Sequence, residues 1–122
     1  MDFSLSDDQL AYQEAARTFA QGELAPHAAR WDETCEFPRE AIRKAGELGF
    51  CGLYTPESLG GLGLSRLDAA IVLEELAAGC TSTAAYISIH NMATAVVAQN
   101  AQPGFAGQWV PQLASGSRLA SY

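Results

Sequence analysis

Ser82-Thr83-Ala84-Ala85-Tyr86-Ile87-Ser88-Ile89-His90-Asn91-Met92-Ala93-Thr94-Ala95-Val96-Val97-Ala98-Gln99-Asn100 is the stretch that decides the fold. It holds no Asp, Glu, Lys or Arg, and its Ala, Ile, Met and Val leave no continuous polar face. A helix that is apolar nearly all round must be buried on most of its sides. The remaining segments therefore have to pack around it. Gly79-Cys80-Thr81 separates it from the helix before, and Gln102-Pro103-Gly104 ends it.

Upstream, Ser65 to Asp68 reads as a helix N-cap opening a helix through Leu67, Ile71, Val72, Glu75 and Ala78. At the N-terminus, Ser6-Asp7-Asp8-Gln9 is a capping box, flanked by Leu5 and Leu10 at the N′ and N4 positions of a hydrophobic staple. Asp7 and Asp8 suit the positive end of the helix dipole. Leu10, Ala11, Ala15, Ala16 and Phe19 supply an apolar stripe to about Gln21, and Gly22 and Pro26 punctuate it. A short helix follows through Ala28, Ala29 and Trp31. Pro38 reads as an N1 proline with Glu40 in the first turn, opening a helix to Leu48 that carries Ile42, Ala45 and Leu48 on one side and is closed by Gly49 at C′. Phe50, Leu53, Leu59, Leu62 and Leu64 make the following segment an ordered, apolar loop. Downstream, a short helix from Phe105 to Leu113 leads to the turn Ala114-Ser115-Gly116-Ser117. Arg118 to Tyr122 reads as the start of a strand that has no partner strand in the chain. The expectation is an all-α fold of about five to six helices.

Composition narrows the function classes. Of 122 residues, 48% are hydrophobic and 17% charged, which is globular composition. The net charge of −7 provides no basic surface to displace phosphate counterions, so nucleic-acid binding is not expected. No apolar run reaches the length of a membrane span, and Met1-Asp2-Phe3-Ser4 opens no signal or transit peptide; a soluble intracellular protein is the plain reading. Cys35, Cys51 and Cys80 match no CxxC or Cys/His pattern, which favours reduced, mostly buried thiols and no metal site.

Motifs that could carry chemistry have plainer readings. Gly60, Gly61 and Gly63 lack the Gly-Lys-Ser/Thr ending of a phosphate loop and form a tight turn between helices. Glu74 and Glu75 are adjacent and point about 100° apart on a helix, so they read as solvated or cap-bonding acids. His90 has no local carboxylate to orient it and reads as a packing residue rather than a base. Ser82, Thr83, Tyr86, Ser88 and Asn91 dot the apolar helix with polar groups. That pattern fits interhelical hydrogen bonds and one wall of an apolar ligand pocket equally well.

Taken in order, several segments resemble the N-terminal helical domain of the acyl-CoA dehydrogenases across essentially the whole chain. They are Leu24-Ala25-Pro26, Trp31-Asp32-Glu33, Phe37-Pro38-Arg39-Glu40, Glu47-Leu48-Gly49-Phe50, Pro56-Glu57 with Leu59-Gly60-Gly61-Leu62-Gly63, Leu73-Glu74-Glu75-Leu76 and Leu113-Ala114-Ser115-Gly116. Within the family, Thr81 to Met92 looks most like the members that act on branched thioesters of valine breakdown.

The resemblance implies an orthogonal helical bundle over residues 1–117, with 118–122 as the first residues of a truncated middle β-domain. It implies an FAD-dependent enzyme that removes the α-proton of an acyl-CoA thioester with a glutamate base while the β-hydride goes to the flavin. An electron-transfer flavoprotein is the implied partner, a homotetramer the implied assembly, and bacterial cytoplasm or mitochondrial matrix the implied location. The glutamate base and most flavin contacts belong to parts of the family fold outside this sequence, so no catalytic residue is expected in it and FAD binding by it alone should be weak or nil. Position by position, the resemblance puts Ala84, Ser88, Ile89 and Met92 on the acyl-pocket wall and Tyr122 beside the flavin. The bulk of Tyr86 and Ile89 would favour short, branched acyl groups. Two other readings remain: a stand-alone helical module binding an acyl group or partner, and a flavin oxidase or monooxygenase on the same fold.

Overall fold

The computed structural model describes Met1–Tyr122 and contains six α-helices and no β-ladder. They are α1 (Asp7–Phe19), α2 (Ala28–Thr34), α3 (Arg39–Glu47), α4 (Arg66–Gly79), α5 (Thr81–Asn100) and α6 (Pro103–Ala114). The fold is the all-α domain expected from the helix signals. Both capping boxes form. Ser6 Oγ accepts from Gln9 N while Gln9 Oε1 accepts from Ser6 N, and Ser65 and Asp68 repeat the exchange at the start of α4. Asp68 also accepts from the Gln9 side chain at 2.9 Å, so the two caps tie the N-termini of α1 and α4 together.

The apolar stripe of α1 falls elsewhere than expected. Ala16 and Phe19 are buried with Tyr12 packed against the core, whereas Leu10, Ala11 and Ala15 are exposed. In a helix this rich in alanine several faces are similarly apolar, and the large Tyr12 and Phe19, two turns apart, select the buried one. α1 then widens into a π-turn over Ala20–Leu24, closed by Ala25 N–H donating to Ala20 O at 2.8 Å.

One boundary also shifts. Pro38 stands at the N-cap rather than N1, and α3 begins at Arg39. Its C-terminus is a Schellman motif: Gly49, at φ +86°, donates to Gly46 O and Phe50 donates to Ala45 O, both at 3.0 Å. Leu48, read from sequence on the same side as Ile42 and Ala45, is half exposed, and Leu67 is exposed. The loop from Phe50 to Leu64 folds back on itself, with Leu62 N–H donating to Gly52 O and Leu64 N–H to Leu53 O. Cys51 is buried as expected, but Cys35 is exposed at a left-handed φ of 55° where α2 ends; all three thiols are free.

α5 crosses the centre. Thr83, Ala84, Ile87, His90, Asn91 and Thr94 are buried on its inner face. No strand forms over Arg118 to Tyr122, because no neighbouring strand exists to complete a ladder. The segment is extended and rests on α5 and α6 instead.

Candidate functional site

Asn91 orients α5. It is fully buried; its Oδ1 accepts from Leu53 N–H at 2.8 Å, and its Nδ2 donates to Phe50 O at 2.8 Å and Ile87 O at 2.9 Å. With the loop clamped to that face, the opposite face of α5 is left uncovered within the chain. Tyr86, Ile89 and Val96 are 44%, 39% and 52% exposed, although the sequence calls for burial on most sides. Of the two readings of the helix's polar groups, Asn91 and Thr94 belong to the internal bonding pattern: Thr94 Oγ1 donates to His90 O at 2.8 Å.

The uncovered face forms one side of an apolar groove of about 540 Å³. Ala85, Tyr86 and Ile89 line it from α5, Phe37 and Ile42 from the start of α3, and Leu119 to Ser121 from the terminal segment. Tyr86 packs on Phe37 with ring centroids 5.0 Å apart and also borders a second cleft of about 260 Å³ above α2.

The side chains expected on the pocket wall do not all meet here. Ile89 lines the groove, Ser88 and Met92 lie half-buried on the adjoining strip of α5, and Ala84 is buried in the main core cluster. Tyr122 is 88% exposed, and its hydroxyl approaches Met92 Sδ at 3.9 Å. Phe37 and Leu119 belong to the groove without having been singled out as pocket residues. An aromatic directly before Pro38 and an apolar residue in the extended terminal segment were the available signals.

His90 is almost wholly buried and lines the floor of the groove. Its Nε2 lies 2.9 Å from Leu113 O, a carbonyl that can only accept, so Nε2 carries the proton. Nδ1 then accepts from Ala120 N–H at 3.1 Å. Burial pushes the imidazole below its ordinary value of 6.5, against the opposing effect of the Nε2 bond to Leu113 O. With both nitrogens engaged, His90 has no free site for proton transfer to a ligand. No group of three His, Cys, Asp or Glu side chains is placed to hold a metal ion. No helix is long and apolar enough to cross a membrane. Glu75 turns out to pair across helices, its carboxylate accepting from Arg17 Nε at 3.1 Å and Nη2 at 2.8 Å, and Glu74 is exposed. The groove can hold an apolar group and shield it from water; its one imidazole has both nitrogens bonded to main chain.

Comparison with known proteins adds a family. Residues 6–117 match the model described as "Acyl-CoA dehydrogenase, N-terminal domain". The chain is 45% identical over 118 residues to a protein named isobutyryl-CoA dehydrogenase, mitochondrial, from Bos taurus, covering 97% of this chain and 28% of that protein. It is 40% identical over 92 residues to benzylmalonyl-CoA dehydrogenase from Aromatoleum aromaticum, covering 75% of this chain and 24% of the relative. Among solved structures, a glutaryl-coenzyme A dehydrogenase in complex with glutaryl-CoA superposes with a TM-score of 0.92 at 33% identity. That superposition covers 98% of this chain and 31% of the solved one. The chain thus spans less than a third of the length of each.

Proposed function

The chain belongs to the acyl-CoA dehydrogenase N-terminal domain family, and from that premise we propose that it forms one wall of the acyl pocket in an FAD-dependent dehydrogenase. The proposed substrate is a short, branched acyl-CoA thioester desaturated between Cα and Cβ, with an electron-transferring flavoprotein as redox partner. The observation that carries this reading is the uncovered apolar face of α5 beside the terminal segment, with Ile89 and Tyr86 on the groove and Ser88 and Met92 next to it.

The residues present suit FAD at one edge of such a site. The main-chain N–H groups of Ser121 and Tyr122 have no partner within the chain, and the Tyr122 ring is open to solvent. When bound, FAD supplies the hydride acceptor. The work of this chain is positional: Tyr86, Ile89 and Leu119 exclude water from the acyl group, and the clamped inner face of α5 holds those side chains in place. The tyrosine and the β-branched isoleucine narrow the groove, which supports the preference for a short acyl chain. So does the 45% identity to a relative named for isobutyryl-CoA, while the relative named for benzylmalonyl-CoA leaves the acyl group to be decided by these wall side chains.

The test is steady-state oxidation of a thioester series by the flavin-loaded protein. Isobutyryl-CoA should show a higher kcat/KM than octanoyl-CoA, and the reverse order would sink the substrate assignment. Ile89→Ala should shift the ratio toward the longer chain by about tenfold, the lower end of what one or two methylenes are worth in an apolar pocket.

A further inference from the structure

We propose that His90 is a positioning residue: through Nδ1 it fastens the Leu119 to Tyr122 segment to α5 and so sets the spacing between the acyl-wall side chains and Tyr122. This rests on the reading of the groove and Tyr122 given above. Its structural content is independent of that reading.

The geometry is specific. The terminal segment leaves α6 with Arg118 N–H bonded to Gln112 O at 3.1 Å. Beyond that point Ala120 N–H is its one main-chain donor with a partner inside the chain, and the partner is His90 Nδ1 at 3.1 Å. Leu119 adds packing against the core, and the Tyr122 hydroxyl reaches only a thioether at 3.9 Å. On its other side the same ring donates to Leu113 O in the last turn of α6. One side chain on α5 therefore bridges the end of α6 and the segment that carries Tyr122, and only one tautomer does so. Adding a proton to Nδ1 would set two donors, the ring N–H and Ala120 N–H, against each other.

The fastening consequently depends on pH. α6 carries no titratable side chain. The nearest titratable residue on α5 is Tyr86, one turn away; the terminal segment carries Arg118 and Tyr122, and the loop after α3 carries Cys51, Tyr54 and Glu57. On α3, Arg43 is paired with Glu40 and Glu47, and Lys44 with Glu23. None of these acts on the ring through its charge; burial and the two main-chain bonds do. The folded ring titrates below 6.5, so the bond to Ala120 is complete above that pH and is lost as pH falls through the folded value.

Nitrogen-15 NMR of the histidine rings in the wild-type protein tests this without any mutation. A neutral ring protonated on Nε2 is expected, with the hydrogen-exchange protection of Ala120 falling about tenfold as the ring protonates, the scale of one buried hydrogen bond. A ring protonated on Nδ1, or Ala120 protection indifferent to that titration, would overturn the proposal. Two variants divide the ring's bonds. His90→Asn places an amide oxygen where Nδ1 accepts and should keep Ala120 protected, now without the pH dependence. His90→Gln places its amide nitrogen where Nε2 donates and should leave Ala120 unprotected at every pH. Equal protection in the two would mean a space-filling histidine and defeat the idea. In the flavin-loaded protein, His90→Gln should lower kcat for isobutyryl-CoA about tenfold at pH above 6.5, with little change in KM, and lowering the pH should lower wild-type kcat alike. An intact NMR result in a protein that oxidises no thioester would retain the clasp and reject the functional reading; activity with the wrong tautomer would do the opposite.

Discussion

Asn91 has no exposed surface, and its amide closes three hydrogen bonds that reach two main-chain groups of the loop after α3 and one of α5. Removing it strands a buried donor, Leu53 N–H, and a buried acceptor, Phe50 O, so Asn91→Ala should cost about 3 kcal/mol of unfolding free energy in urea titration. Gly46 makes a different demand. A Cβ there would stand 2.2 Å from Ser115 O, main chain that cannot step aside, so Gly46→Ala should destabilise by about 2–3 kcal/mol. Neither role was legible beforehand. A buried amide and a close approach are relations between segments 38 and 69 residues apart (91 − 53 and 115 − 46), and nothing in the flanking residues records the other partner. The left-handed Gly49 was legible, because a helix followed directly by glycine is a local signal.

At the scale of elements, the capping boxes were readable to the residue, since Ser6 with Gln9 and Ser65 with Asp68 satisfy their own helix ends within one turn. Ser65→Ala should cost about 1 kcal/mol in thermal or urea unfolding. Placement of helices against one another was less readable. α1 and α4 are joined by Gln9 to Asp68 and by the two-pronged Arg17–Glu75 pair. The Arg17 guanidinium holds the Glu75 carboxyl below its ordinary 4.5. A depressed acid contributes stability above its unfolded value and loses it as pH falls through the folded one. Glu75→Gln should therefore lower stability at neutral pH by about 1 kcal/mol and flatten the acid limb, so that the variant and wild-type curves converge as pH falls through the folded value. Sequence showed Glu75 only as half of an adjacent acidic pair. Its partner 58 residues away decides its role.

For the molecule as a whole, the shifted groups set a plateau of stability. His90 is pushed low by burial and withdraws stability as pH falls below 6.5; Glu75 and Asp68 are held low by hydrogen bonds and withdraw more as pH falls below 4.5 and 3.8. At the other end, burial pushes the Cys51 thiol up to about 12, above the ordinary 9.0, so unfolded chains ionise first and stability declines as pH rises past 9.0. Urea midpoints should be flat between those limits and fall on both sides. Cys51→Ala should remove the part of the decline that begins at 9.0, leaving the later loss from the Lys44–Glu23 pair, even if it lowers the plateau. The sequence by itself determined the helical class, the capped starts of α1 and α4 and the family, because periodicity, caps and turn residues act over one or two turns of chain. It also determined that α5 is the central helix, since apolar residues on every side demand neighbours. Which side of α5 packs inward and which is left as a groove wall was decided only by the tertiary structure. A helix with no polar face presents several equivalent surfaces to the core, and the choice falls to distant partners: Leu53 and Phe50 for Asn91, Leu113 and Ala120 for His90.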